Sequence, residues 1–174
     1  MLSDSDFKEL LRNFPPVSFA FAYGSGVVQQ AGYEYEGAVE RTDKLPMLDF
    51  IFVTDDPIQW HEENIARNRD HYSSFIDPNY LVRIVQGPNS GGVAMWFNVE
   101  VPLNISRFSG RFMKYGVIST EKLLDDLLHW KYLYVAGRLH KPVHLCLDGL
   151  TGEPHKFMKA LEINRKYALR VALL

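Results

Sequence analysis

Asp49 stands inside PMLDFIFV, Pro46 to Val53, a run too short for a helix and rich in Phe, Ile and Val, so it reads as a buried strand. Strand alternation puts Asp49, Ile51 and Val53 on one face and Phe50 and Phe52 on the other. A carboxylate there costs several kcal/mol unless it is paired, hydrogen-bonded or bound to a cation. A structural ion pair or a bond to nearby backbone would compensate it; so would Mg²⁺, which typically takes one or two carboxylates together with substrate phosphates. A second feature bears on that choice. The apolar stretch Val17 to Ala22 runs on through Tyr23 and leaves by Gly24, Ser25 and Gly26. Small residues let backbone N–H groups approach and cradle a phosphate, and serine adds a hydroxyl. The triplet alone equally suits a tight turn, and it does not match the G-x-x-x-x-G-K-[ST] phosphate loop. Glycine-serine at one strand end with aspartate on the next strand is a phosphate-plus-metal constellation.

The elements that must position these residues are readable around them. Ser3 or Asp4 caps a first helix to about Asn13, which Pro15-Pro16 ends, and a strand follows from Val17 to Tyr23. Residues 31–44 read as an exposed loop. Asp55-Asp56-Pro57 opens a helix with a carboxylate suited to the N-cap and proline at its first position. Leu81 to Gln86 reads as a strand, GPNSGG as a turn, Val93 to Val101 as a longer strand, and RFMKYGVIS as its continuation in the sheet. Ser119 or Thr120 caps TEKLLDDLLHWKYLYVAG, read as one helix whose leucines face the core. The last stretch, KFMKALEINRKYALRVALL, is helical and either packs on the first domain or starts another. The expected organisation is an α+β domain over residues 1–118 and a helical segment over 119–174 that packs on it or starts a second domain.

The 174 residues suffice for a real core, and the hydrophobic fraction of 47% belongs to a folded globular chain. A formal net charge of −2 supplies no cationic field for duplex nucleic acid, so no nucleic-acid partner is expected. Cys146 is the only cysteine, which excludes an intrachain disulfide and a multi-cysteine zinc site. No apolar run approaches the roughly 20 residues that span a bilayer. The opening MLSDSDFKELL is acidic and helical, unlike a secretory signal or an arginine-rich transit peptide.

YGSG (Tyr23 to Gly26), MLDFIF (Met47 to Phe52), DDPIQWHEEN (Asp55 to Asn64), HYS (His71 to Ser73), KYGVIS (Lys114 to Ser119) and YVAGRLHKPV (Tyr134 to Val143) occur in that order. This set resembles the mitochondrial-type CDP-diacylglycerol synthases, also called the translocator assembly and maintenance proteins, which have bacterial relatives. The resemblance implies a polymerase-β-type nucleotidyltransferase fold with a mixed sheet flanked by helices. It implies that glycine-serine holds a triphosphate and strand aspartates hold Mg²⁺. The implied reaction is transfer of CMP from CTP to phosphatidic acid; separately, the basic, amphipathic final segment suits an anionic membrane surface or packs against its own domain. The implied location is the matrix face of the mitochondrial inner membrane or, in a bacterium, the cytoplasmic face of the plasma membrane. A different acceptor, or a non-catalytic assembly role, would keep the same fold.

On that resemblance Tyr23, Gly24, Ser25 and Gly26 bind the triphosphate, Asp49 holds metal, and Lys114, Arg138 and Lys141 screen phosphate charge. The wider superfamily places two acidic residues one apart on this strand, whereas Ile51 occupies the second position here. Asp55, Asp56 and Glu100 are the candidates for a second ligand, with Asp56 equally explained as a helix cap. His61 and Asn64 share a helix face and would read cytosine or ribose, or pack the helix on the sheet; His71 would bind phosphate or make a structural bond.

Overall fold

The computed structural model describes residues 3–24, 27, 47–72, 75–103, 105, 108, 110–140, 143–146 and 150–173. Ser25, Gly26, Lys141 and the stretch 31–44 lie outside them. Helix α1 spans Asp4–Leu11 and opens with a capping box: Ser3 accepts from the Asp6 amide while the Asp6 carboxylate accepts from the Ser3 amide. Strand β1 is Phe19–Tyr23 and β2 is Leu48–Thr54. Helix α2, Pro57–Arg67, starts as expected on Asp56, whose side chain accepts from the Gln59 amide.

Residues 81–86 are a correction. They form the second half of helix α3, Pro78–Gln86, and not a strand. Asp77 caps α3 and Pro78 takes its first position, the same Asp-Pro device that opens α2. Six residues with apolar side chains in adjacent pairs fit either period, so the flanking cap was the deciding signal.

Strands β3, Trp96–Pro102, and β4, Phe112–Ser119, complete the middle of the fold. Helix α4 is Thr120–His129, capped by Ser119. The single helix expected beyond residue 120 breaks there: Trp130 and Leu133 adopt left-handed φ of 52° and 54°, and a short α5 restarts over Val135–Arg138. Strand β5, His144–Cys146, and helix α6, Pro154–Ala172, follow.

The sheet order is β3-β4-β2-β1-β5, with β2 and β4 parallel and the other pairs antiparallel, an α+β fold with a mixed sheet flanked by helices. Its two faces carry separate cores. Phe50, Phe52, Tyr115 and Val117 point toward α1 and α2, meeting Phe7, Leu10, Phe14 and Trp60. Phe19, Phe21, Ile51, Val53 and Ile118 point the other way, toward Leu123, Leu127, Val135 and Phe157 from α4, α5 and α6. The Phe19 and Phe157 rings stack with centroids 4.7 Å apart, which fixes α6 on that face.

Candidate active site

Register assembles the site. Antiparallel pairing sets Tyr23, at the end of β1, opposite Asp49, while parallel pairing sets Lys114 opposite Asp49 on its other side. Asp49 alternates with Leu48 and Phe50, and Lys114 with Met113 and Tyr115, so both share the α4–α6 face with Tyr23. The chain then turns at Gly24, whose φ of +85° is in the left-handed region. A Cβ on Gly24 would also stand 3.0 Å from Asp49 Oδ2. Backbone conformation and the space beside the carboxylate therefore both require glycine. Gly24→Ala is expected to lower stability by about 1 kcal/mol, measured by urea unfolding.

Two cations face this carboxylate. Lys114 Nζ lies 4.6 Å from the Phe97 ring centroid. Phe97 can lie so low because Gly116 is under it: a Cβ there would come within 2.6 Å of Phe97 Cε1. The Arg138 guanidinium carbon lies 5.0 Å from the Tyr23 ring centroid and 4.9 Å from that of Tyr134. Burial raises the pKa of Asp49 above the ordinary carboxylate value, and Lys114 and Arg138 offset part of that rise. Among the described residues no cation comes within ion-pair distance of it. The Tyr23 phenol is pushed up to about 12, chiefly by burial, and stays neutral.

A residue that sequence reasoning passed over builds the frame of Arg138. Asp126, in α4, is fully buried, and its two oxygens accept four backbone N–H groups. Oδ1 takes Tyr132 and Leu133 at 2.8 and 2.7 Å, and Oδ2 takes Val135 and Ala136 at 2.7 and 3.0 Å. These bonds hold the left-handed link after α4 and cap the first turn of α5. Buried Asn164 ties α6 to the same segment, donating to the Ala136 carbonyl at 3.0 Å and accepting from Trp130 Nε1 at 2.8 Å.

Other expected site residues fall elsewhere. Asp55 and Asp56 follow the far end of β2, about 20 Å of strand from Asp49. Asp55 accepts from Thr120 Oγ1 at 2.6 Å and Asp56 caps α2, so neither pairs with Asp49 on one metal ion. Glu100 is nearer, in a bulge where the β3–β4 register shifts between Asn98 and Val101, and it is exposed with φ of 56°. Among the described residues no three His, Cys, Asp or Glu side chains group to hold a metal.

His61 and Asn64 do not reach the site, because the sheet lies between. Both are fully buried on the α2 face. Asn64 Nδ2 donates to the hydroxyls of Tyr72 and Tyr115, each at 2.8 Å, and Asn98 Nδ2 also donates to Tyr115, at 2.7 Å. That leaves the Tyr115 proton for His71 Nδ1 at 3.0 Å, and His61 Nδ1 meets Tyr72 at 2.7 Å. Burial lowers the pKa of His61 to about 3 and also depresses that of His71. A folded-state value below the unfolded one favours the neutral ring, so this stability is complete above about pH 6.5 and is lost as pH falls toward 3. Between pH 7.5 and pH 5, His61 alone is expected to remove about 2 kcal/mol, read from urea midpoints of the wild type against His61→Asn.

A family model described as "Phosphatidate cytidylyltransferase, mitochondrial" matches residues 7–174. The chain belongs to that family. Relatives carrying the same name include one from Xenopus laevis, 43% identical over 171 residues, which are 97% of this chain and 46% of the relative. One from Danio rerio is 44% identical over 149 residues, 84% of this chain and 40% of the relative. The Homo sapiens protein is 40% identical over 171 residues, 97% of this chain and 34% of that protein. The chain thus spans less than half the length of these curated relatives. For a phosphatidate cytidylyltransferase family member, the placement of Tyr23, Gly24, Asp49, Lys114 and Arg138 at one end of the sheet is the feature to interpret.

Proposed function

We propose that the chain binds CTP with Mg²⁺ at Asp49 and transfers CMP to phosphatidic acid, giving CDP-diacylglycerol and pyrophosphate. The observation that carries this reading is a half-buried carboxylate without an ion-pair partner among the described residues, set beside a glycine where any Cβ would crowd its Oδ2. That space suits a cation held by one carboxylate and by phosphate oxygens, the coordination Mg²⁺ accepts. Bound there by Asp49, the ion would supply positive charge against the phosphates.

The remaining roles follow from charge. A phosphatidate oxygen attacks the α-phosphorus of CTP while the bond from that phosphorus to the bridging oxygen breaks and pyrophosphate departs. A phosphomonoester has its second pKa near 6, so at neutral pH the attacker is mostly anionic and needs no strong base. Three anionic groups must then be held close together, and Lys114 and Arg138 on either side of Asp49 supply positive charge where repulsion is greatest. On the family resemblance Ser25 and Gly26 are assigned to the same triphosphate, and Lys141 to the triphosphate or the lipid phosphate.

The acceptor is lipid, and α6 offers the surface suited to it. Lys156, Lys159, Arg165, Lys166 and Arg170 are exposed there, with Leu169 and Leu173, against a single exposed Glu162 within the helix. Such a face fits an anionic membrane surface without crossing it; among the described residues no helix is long and apolar enough to span one. The names of the relatives support a mitochondrial setting; the matrix side of the inner membrane is our assignment. The test is formation of CDP-diacylglycerol from labelled CTP and phosphatidic acid in vesicles, with Mg²⁺ and with EDTA. Magnesium-dependent product is expected; no product together with no calorimetric CTP binding overturns the reading.

A further inference from the structure

Arg138 ends a helix of only four residues, a place where an arginine usually swings free in water. Here two tyrosine rings hold its guanidinium. Tyr23 lies 5.0 Å from its central carbon and Tyr134 lies 4.9 Å away, while Nη2 donates to the Tyr134 hydroxyl at 3.2 Å. Both distances are within the range where a cation is attracted to a ring face. Burial works against the charge, but the Tyr134 hydrogen bond, Tyr23 and Asp49 outweigh it and raise the pKa of Arg138.

Tyr134 is itself fixed from both sides. The amides of Leu133 and Val135, its chain neighbours, are bound at 2.7 Å by the two oxygens of Asp126. Its ring meets Phe97 edge to face, with centroids 6.4 Å apart, and Phe97 in turn carries the Lys114 ammonium. One aromatic layer thus supports both cations that flank Asp49.

We infer that Tyr134 is a positioning residue that clamps Arg138 against Tyr23, so that the edge of the guanidinium is presented to the phosphates of the bound nucleotide. This rests on the proposed CTP site. One Nη2 bond goes to Tyr134, and the guanidinium's remaining N–H groups supply the fork that phosphate oxygens accept. Tyr134 does not touch the substrate; it removes the rotamer freedom that Arg138 would otherwise lose on binding.

The experiment compares Mg²⁺-dependent affinities for CTP and CMP by calorimetry in the wild type, Tyr134→Phe, Tyr134→Leu, Arg138→Ala and the Tyr134→Leu/Arg138→Ala double variant. Tyr134→Leu is expected to weaken CTP about tenfold and CMP less than threefold, because only CTP carries the outer phosphates. Tyr134→Phe keeps the ring and stays within about threefold of the wild type. The double variant binds CTP no more weakly than Arg138→Ala, the coupling expected if one residue acts through the other. Equal weakening of CTP and CMP, or additive losses in the double variant, overturns the inference while leaving the CTP site standing. Absence of CTP binding by the wild type overturns the CTP site and the inference together. A nucleotide-independent readout is the ¹⁵N signal of Arg138 Nε, expected to be ring-current shifted in the wild type and in Tyr134→Phe. An unshifted wild-type signal overturns the clamp even if Tyr134→Leu does not fold.

Discussion

Asp49→Asn is expected to lower CDP-diacylglycerol formation by roughly 10²–10³-fold, the loss typical of removing one preorganised charge-stabilising group, and to abolish the magnesium dependence of CTP binding. The same substitution is expected to leave the unliganded fold as stable as before or more so. Burial raises the pKa of Asp49, so without a ligand burial counts against the charged form. For a carboxylate whose folded-state pKa is raised, the penalty is present above that value and is relieved as pH falls through it. The neutral amide removes that penalty at every pH and keeps nearly the same shape beside Gly24. Opposite signs for function and stability separate a ligand-holding carboxylate from one that merely holds the fold together. Turnover at saturating Mg²⁺ and the urea midpoint without ligand measure the two signs, and a large loss of stability with turnover intact would sink the assignment.

How much of this was readable beforehand depends on whether each signal was local. Helix α2 announced itself through Asp56-Pro57, and the apolar run around Phe50 could only be a short strand. The same Asp-Pro signal at 77–78 outweighs the apolar run after it, which is why α3 is a helix. The pairing of Asp49 with Lys114 is not local: 65 positions separate them, and only the parallel register of β2 with β4 brings them together. Nearness along the chain misled in the opposite sense. Asp55 and Asp56 follow Asp49 closely but emerge from the other end of the strand, where Thr120 and the α2 amides use them. The shared helix face of His61 and Asn64 was legible, but not that the face turns toward Tyr72 and Tyr115, away from Asp49.

Asp125 and Asp126 illustrate the same limit and lead to the largest expected loss of stability. Side by side in LLDDLL they look like one solvated patch, yet a helix turns about 100° per residue and separates them. Asp125 remains at the surface with Lys131, at 2.8 Å, while Asp126 is fully buried against four amides. Asp126→Ala would leave those donors without partners in the interior, and the left-handed residues Trp130 and Leu133 without the bonds that hold them. A loss of about 3–5 kcal/mol is expected, the range for breaking a buried charged network. Asp126→Asn is expected to cost about half as much, since one oxygen still accepts two amides while its NH₂ opposes the other two. In that milder variant, limited proteolysis should first cut within 130–138, because local opening begins where the restraint was removed. CTP affinity should fall before the sheet unfolds, because Arg138 reaches the site only from this link. Equal protection of the segment in the wild type and Asp126→Asn, with CTP affinity unchanged, would show that Arg138 is held by something other than this carboxylate.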